Sequence, residues 1–277
     1  MERAMATNKE VLLTLRFTYV LGLCFFPLNT LAQPPTPEAV THYHAALDAL
    51  DDAKRVSDRV LEIVKTDQPV APAEPEALAT ESAQIMRRLN AHLDTAIAGG
   101  HAVAMYQKAK VLLAASILKN KQSACEFYGR AAEQGLIAGA VEYVNCIPFY
   151  PPSAEYERRL ALLQATVQGP DYYESEYPLL TAFPSCFPKH KPPPKPDEDA
   201  IQWVIDNARP LALSAREFRG EGYYILAMRT EIDEQRVNFL NLAFAQGCRE
   251  DFMRVAKYVR DERLKALIKG PPLEAVR

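Results

Sequence analysis

The chain has 277 residues, 48% of them hydrophobic and 24% charged, with 21 Pro and 11 Gly. This is a globular composition for one large or two small domains, and it excludes a collagen-like or low-complexity chain. A formal net charge of -3 without a basic stripe argues against a nucleic-acid-binding protein.

Residues 1–32 have the parts of a secretory signal peptide. Basic residues precede an apolar run from Phe17 to Phe26, and Thr30 and Ala32 are small residues where a signal peptidase reads them. An uncleaved anchor would need about 20 apolar residues, and Arg16 interrupts the run well before that length. We therefore predict cleavage after Ala32, no membrane insertion afterwards, and a periplasmic or secreted protein.

The next elements form an N-terminal helical hairpin. Thr41–Lys65 is predicted as a long amphipathic helix, and the proline-rich stretch Asp67–Glu76 leads into a second helix that reaches Ala98. The apolar stripe of the first helix has the four-three spacing of one helix face and contains Ala46, Leu50, Ala53, Val60 and Val64.

A repeat of about 34 residues follows, and it is the strongest pattern in the chain. Each unit has an alanine four residues before a glycine: Ala96 and Gly100, Ala131 and Gly135, Ala165 and Gly169, Ala243 and Gly247. Glycine past a helix end can adopt the left-handed conformation that caps the helix. Alanine one turn earlier lets a neighbouring helix approach closely.

Helix pairs repeated at this interval are typical of an α-solenoid. We therefore predict an all-α fold, an α-α superhelix of tetratricopeptide-like helical hairpins, with no strands of consequence. The convincing part of the repeat covers about residues 85–170, and a weaker return covers about 218–260.

One segment carries a family resemblance. Ala124–Gly135, with the sequence ACEFYGRAAEQG, resembles the Sel-one-like repeat, a relative of the tetratricopeptide repeat. Three departures from that family are visible. Gly139 and Asp251 stand where an alanine is expected, and AASILKNKQ stands where a glycine-rich loop is usual. The resemblance implies an adaptor or assembly scaffold, as in bacterial envelope complexes.

Four cysteines remain after the signal peptide, an even number that suggests two disulfides in an exported chain. Cys125 and Cys146 lie at similar distances before and after Gly135, so an antiparallel hairpin places them side by side. We predict Cys125–Cys146, which leaves Cys186–Cys248. The alternative is four free thiols, and no C-x-x-C pair favours zinc.

A second proline-rich stretch, residues 184–199, separates a predicted section 33–183 from a C-terminal helical section 200–277. Just before this linker, tyrosines crowd a turn-rich region. Such side chains suit recognition of a partner, or they fill gaps where a repeat has degenerated. These candidate binding residues are Tyr150, Tyr172, Tyr173 and Tyr177.

The sequence contains no recognisable catalytic, metal or cofactor motif. His42 and His44 point to different faces of a helix, which makes them a poor metal pair. The carboxylates of Glu174, Glu176 and 197–199 have no fixed separation that would suggest hydrolysis. We expect no metal and no cofactor.

The sequence therefore favours a non-enzymatic, exported protein whose partner is another protein, bound along an α-solenoid surface. One alternative is an exported toxin-neutralising, immunity-type binder. The other is a hydrolase of glycans or cell walls that uses carboxylates left unpaired above.

Overall fold

The structure is a computed structural model that describes residues 34–66, 73–146, 153–179, 181–182, 184–187, 211–249 and 255–269. The predicted signal peptide, its cleavage point after Ala32 and most of the linker 184–199 lie outside these ranges. Within them the chain is mainly helical, which confirms the all-α prediction.

The described ranges contain nine α-helices, one 3-10 helix and one pair of two-residue strands. The helices are α1 Pro37–Thr66, α2 Ala73–Ala98, α3 Ala102–Ala115, α4 Ile117–Glu133, α5 Ile137–Asn145, α6 Ala154–Gln168, α7 Ala215–Arg229, α8 Asp233–Ala245 and α9 Glu262–Lys265. The 3-10 helix is Glu174–Leu179, and β1 Thr181–Ala182 pairs antiparallel with β2 Leu211–Ala212.

Each helix from α1 to α6 packs against the next one in the chain, and α8 packs against α7. The α1–α2 pair is antiparallel, since the amide of Thr36 donates to the carbonyl oxygen of Gly99 at 3.1 Å. The C-terminal helices are joined to the rest through α7, which packs on both α5 and α6. One main apolar core therefore runs from α1 to α8.

Three of the four repeat glycines cap their helices as predicted. Gly100, Gly135 and Gly247 have φ of 84°, 85° and 106°. The amide after each glycine donates, at 3.0 to 3.1 Å, to the carbonyl oxygen of the repeat alanine five residues earlier. Those alanines, Ala96, Ala131 and Ala243, are fully buried.

The third repeat unit was predicted wrongly. Gly169 has φ of -81°, Ala165 is exposed, and α6 instead buries Leu163, Thr166 and Val167. The reason lies in α7, whose Arg219 donates to the carbonyl oxygen of Val167 in the last turn of α6 and to that of Gly169, the latter at 3.0 Å. Since another helix satisfies the last carbonyls of α6, no left-handed glycine cap is needed there.

The structure explains two of the three departures from the repeat pattern, and the third, Asp251, lies outside the described residues. Ser116 is the single residue between α3 and α4. Its amide donates to the carbonyl oxygen of Leu112 at the end of α3, and its hydroxyl accepts from the amide of Lys119 at the start of α4. A glycine loop is unnecessary where one serine caps two helices. At Gly139, a Cβ atom would lie 2.8 Å from the Cβ of Ala131, so α4 and α5 approach too closely for alanine.

The structure contains the two predicted disulfides. Cys125 on α4 pairs with Cys146 at the end of α5, with 5.9 Å between their Cα atoms. Cys186 pairs with Cys248 just after α8, with 5.0 Å between Cα atoms. Among the described helices, none combines the length and apolar character that crossing a membrane requires.

Candidate functional site

The far end of the α1–α2 hairpin projects beyond the main core. By helix geometry, α1 is about 45 Å long and α3 about 21 Å. The main core contains residues of α1 as far as Leu50 and residues of α2 from Met86 onward. The remaining end of the hairpin, which we call the hairpin tip, comprises residues 53–63 and 75–85.

The hairpin tip has a small apolar cluster of its own. Val56, Leu78 and Ile85 are buried between α1 and α2, with Ala53 and Ile63 packed around them. A layer of only two helices cannot cover both faces of such a cluster. Apolar surface therefore remains exposed at the tip.

That exposed surface forms a groove between the two helices. The groove encloses about 570 Å³, and the side chains that line it are mostly apolar or small: Ala53, Val56, Ser57, Val60, Ile63, Pro75, Leu78, Ala79 and Ser82. Val60 is 42% exposed, and Leu61 beside it is 50% exposed. Val60 belongs to the predicted apolar stripe of α1 and lines the groove with Ala53, but this end of the stripe is uncovered, because the hairpin extends past the helices that would cover it.

A second groove, which runs from the tip to Asp52 and Arg88, is charged. It is lined by five charged side chains together with Val56, Gln84 and Ile85. Arg59 pairs with Glu81 at 2.9 Å, and Asp52 bridges Arg55 and Arg88. These pairs join α1 to α2 across the surface, where an exposed ion pair contributes little stability.

Two of the four tyrosines predicted as binding residues are buried, as the gap-filling alternative expects. Tyr173 and Tyr177 are buried, whereas Tyr172 is 57% exposed, and Tyr150 lies outside the described residues. The Tyr177 hydroxyl accepts from the amide of Ile137 at 3.1 Å. It thereby caps α5, whose first residues have no side-chain cap of their own.

In residues 181–182 and 184–187, main-chain groups form hydrogen bonds with side chains of α3 and α7. Tyr106 and Lys110 both donate to the carbonyl oxygen of Thr181, at 2.7 and 3.0 Å. One oxygen of Glu221 accepts from the amides of Ser185 and Cys186, both at 2.8 Å. We call this stretch the extended segment.

Two carboxylates near these contacts have a raised pKa: Glu221, which is buried, and Glu142, which is half-buried and interacts with Lys110. Burial raises the pKa of Glu142, and the nearby charge of Lys110 opposes that shift. Burial also raises the pKa of Glu221 to about 7, although the amides of Cys186 and Ser185 favour its ionised form. Because Glu221 already accepts two backbone amides, its role here is structural.

The carboxylates singled out in the sequence are placed elsewhere. Glu174 is exposed and Glu176 is half-buried, both in the 3-10 helix, and residues 197–199 lie outside the described ranges. Among the described residues, no three His, Cys, Asp or Glu side chains lie together in a way that could hold a metal ion.

Histidines meet across the hairpin in a way that sequence reasoning missed. His42 on α1 lies 3.0 Å from His92 on α2, measured between their Nδ1 atoms, while His44 is exposed. The predicted antiparallel hairpin is the signal that could have found this pair. Its register depends on the connection between α1 and α2, which the sequence does not fix.

Comparisons of the chain with protein-family models, with curated proteins and with solved structures found no match.

Proposed function

We propose that the chain is an exported, non-enzymatic interaction protein, an α-solenoid of short helical hairpins, and that its hairpin tip docks an amphipathic helix of a partner protein. The observation that carries this proposal is the exposed apolar groove around Val60, which lies apart from the main core. A third helix laid between α1 and α2 would bury the cluster that two helices leave open.

The faces of α3 and α7 beside the extended segment offer less room for a partner. The extended segment already uses Tyr106, Lys110 and Glu221, and the Cys186–Cys248 disulfide ties it to the end of α8. These contacts favour the hairpin tip over the faces of α3 and α7 as the binding surface.

Site-directed crosslinking tests this proposal. A photoreactive residue at Ser57, inside the apolar groove, is combined with the exported protein and an envelope extract of the source cell. The same photoreactive residue at Ser123, which is exposed on α4, is the control. We expect one predominant crosslinked partner from Ser57 and none from Ser123.

Two matched substitutions identify the contact. Val60→Glu places a carboxylate in the groove, and we expect it to reduce the Ser57 crosslink about tenfold, because an unpaired charge buried in an apolar contact costs more than about 1.4 kcal/mol. Leu118→Glu is the control, since Leu118 is 96% exposed and lies on α4, away from the tip. Equal effects of both substitutions would overturn the proposal.

The groove could also be occupied by a second copy of the chain. Analytical ultracentrifugation of the purified protein distinguishes this outcome. If the protein is a dimer and Val60→Glu dissociates it, then the groove is filled by a four-helix contact between two copies and not by a partner helix. A monomer that shows no Ser57 crosslink in the extract would refute docking at the hairpin tip.

A further inference from the structure

The contact between His42 and His92 has the arrangement of a pair of metal ligands. The two rings come from facing helices, their centroids lie 5.2 Å apart, and their Nδ1 atoms lie 3.0 Å apart. Two nitrogen ligands of a tetrahedral ion, each about 2.0–2.1 Å from it, are about 3.3 Å from each other. An outward shift of about 0.3 Å would therefore accommodate an ion.

The backbone around both histidines is firmly held. Tyr43 and Ala46 flank His42 on the buried face of α1, and Leu89 and Leu93 do the same for His92 on α2. Next to them, the amide of Thr36 donates to the carbonyl oxygen of Gly99 and fixes the end of the hairpin. The ligand nitrogens are thus held close together before any ion arrives.

Both imidazole rings are half-buried, so one side of the pair faces solvent. In the contact as it stands, one Nδ1 must donate a proton to the other, because two unprotonated nitrogens would repel each other. A metal ion can take the place of that shared proton. Water can then fill the coordination positions that the protein leaves open.

We propose that His42 and His92 form a two-histidine site for a divalent transition-metal ion of the kind that imidazole prefers, and that the ion clips α1 to α2. Zinc, copper and nickel are the ions that imidazole suits best. The site is separate from the hairpin tip, so its test does not depend on the proposed function.

Calorimetry with Zn²⁺ alone tests the proposal on the untagged, oxidised protein after treatment with a chelator. We expect one ion per chain and at least a tenfold loss of affinity in His42→Ala and in His92→Ala. His44→Ala is the matched control, because His44 is exposed on the same helix and does not contact His92. The control should bind Zn²⁺ as the parent protein does.

Thermal unfolding provides a second readout. A ligand that binds only the folded state, at about 100 times its Kd, raises the Tm of a protein of this size by about 5–10 °C. The parent protein and His44→Ala should show this rise with Zn²⁺, and the two alanine variants should not. If a variant is unfolded without metal, the corresponding glutamine variant replaces it.

Electron paramagnetic resonance with Cu²⁺ counts the ligands directly. The parent protein should show coupling to two imidazole nitrogens, and His42→Ala to one at most. The proposal is overturned if the parent protein binds no Zn²⁺, if His44→Ala loses binding as the other variants do, or if His42→Ala retains two coupled nitrogens.

Discussion

His101 shows how one buried side chain can make stability depend on pH. It caps α3 by accepting from the amide of Ala104 at 3.3 Å, and its ring stacks on Tyr43 with centroids 4.2 Å apart. Burial, with a smaller effect from the charge of His44, lowers its pKa from 6.5 to about 4. The folded state therefore keeps His101 neutral where the unfolded chain would protonate it.

We predict that protonation of His101 destabilises the fold in acid. The unfolded state binds the extra proton between pH 6.5 and 4, so the free energy of unfolding decreases as the pH falls through that range, by about 3 kcal/mol in total. His101→Asn retains a side chain that can cap the helix and does not titrate. Urea unfolding at several pH values should show that the free energy of unfolding of this variant falls less in acid than that of the parent protein. An equal fall would contradict the prediction.

Glu221 should produce the opposite dependence. Its pKa in the fold is raised from 4.5 to about 7, so the folded state binds more protons than the unfolded chain between these values. Below pH 4.5 the neutral carboxyl adds about 3 kcal/mol to the free energy of unfolding. This contribution is lost as the pH rises from 4.5 to 7.

The matched variant is Glu221→Gln, which keeps an oxygen to accept from the amides of Ser185 and Cys186. We expect its free energy of unfolding to fall less than that of the parent protein between pH 4.5 and 7. Chemical denaturation across that range measures the difference, and parallel curves would rule out Glu221 as the titrating group.

At the scale of an element, the close approach of α4 and α5 makes Gly139 necessary. A methyl group there would lie 2.8 Å from the Cβ of Ala131 and 3.0 Å from the backbone nitrogen of Ala132. We predict that Gly139→Ala destabilises the protein by about 1–3 kcal/mol, as overpacking does. Thermal unfolding measures this loss.

A compensating substitution tests the cause of that loss. Ala131→Gly removes one of the two clashing methyl groups, so the double variant Gly139→Ala with Ala131→Gly should recover part of the stability. Additive losses in a double-mutant cycle would show that the contact between these two positions is not responsible.

The sequence predicts the ends of the helices correctly where a local rule decides the structure. Gly100, Gly135 and Gly247 cap helices because a left-handed residue is needed at each end. Gly169 has the same spacing, but Arg219 from α7 satisfies the end of α6 instead. No pattern within one repeat unit can reveal that a distant helix supplies the hydrogen bond.

The candidate sites were harder to predict for the same reason. The tyrosine-rich stretch suggested a surface, yet Tyr177 caps α5 from a position 40 residues further along the chain. The exposure of Val60 depends on how far α1 extends past its neighbours, and the meeting of His42 with His92 depends on hairpin register. Periodicity predicts which residues share a helix face, but not what covers that face.

At the scale of the whole molecule, the two disulfides should differ in their effect on stability. Cys125–Cys146 spans 21 residues and Cys186–Cys248 spans 62. A longer closed loop restricts the unfolded chain more, so the chain-entropy estimate is about 3 kcal/mol for the first and about 4 kcal/mol for the second.

We therefore predict that replacing Cys186 and Cys248 with serine lowers the free energy of unfolding more than the same change at Cys125 and Cys146. The second bond also holds the extended segment, which adds to its effect. Guanidinium unfolding of the two double variants measures the order. The reverse order would show that native-state contacts outweigh loop length.

The extended segment also imposes a sequence of events on folding. Contacts within the α4–α5 hairpin join neighbours in the chain, so they can form as soon as both helices are free to fold. Cys186 must wait for Cys248, and Arg249 then donates its amide to the carbonyl oxygen of Cys186 at 2.9 Å. During that interval Cys186 is an unpaired thiol, so a newly made chain depends on an oxidant or isomerase that keeps this cysteine from bonding to the wrong partner.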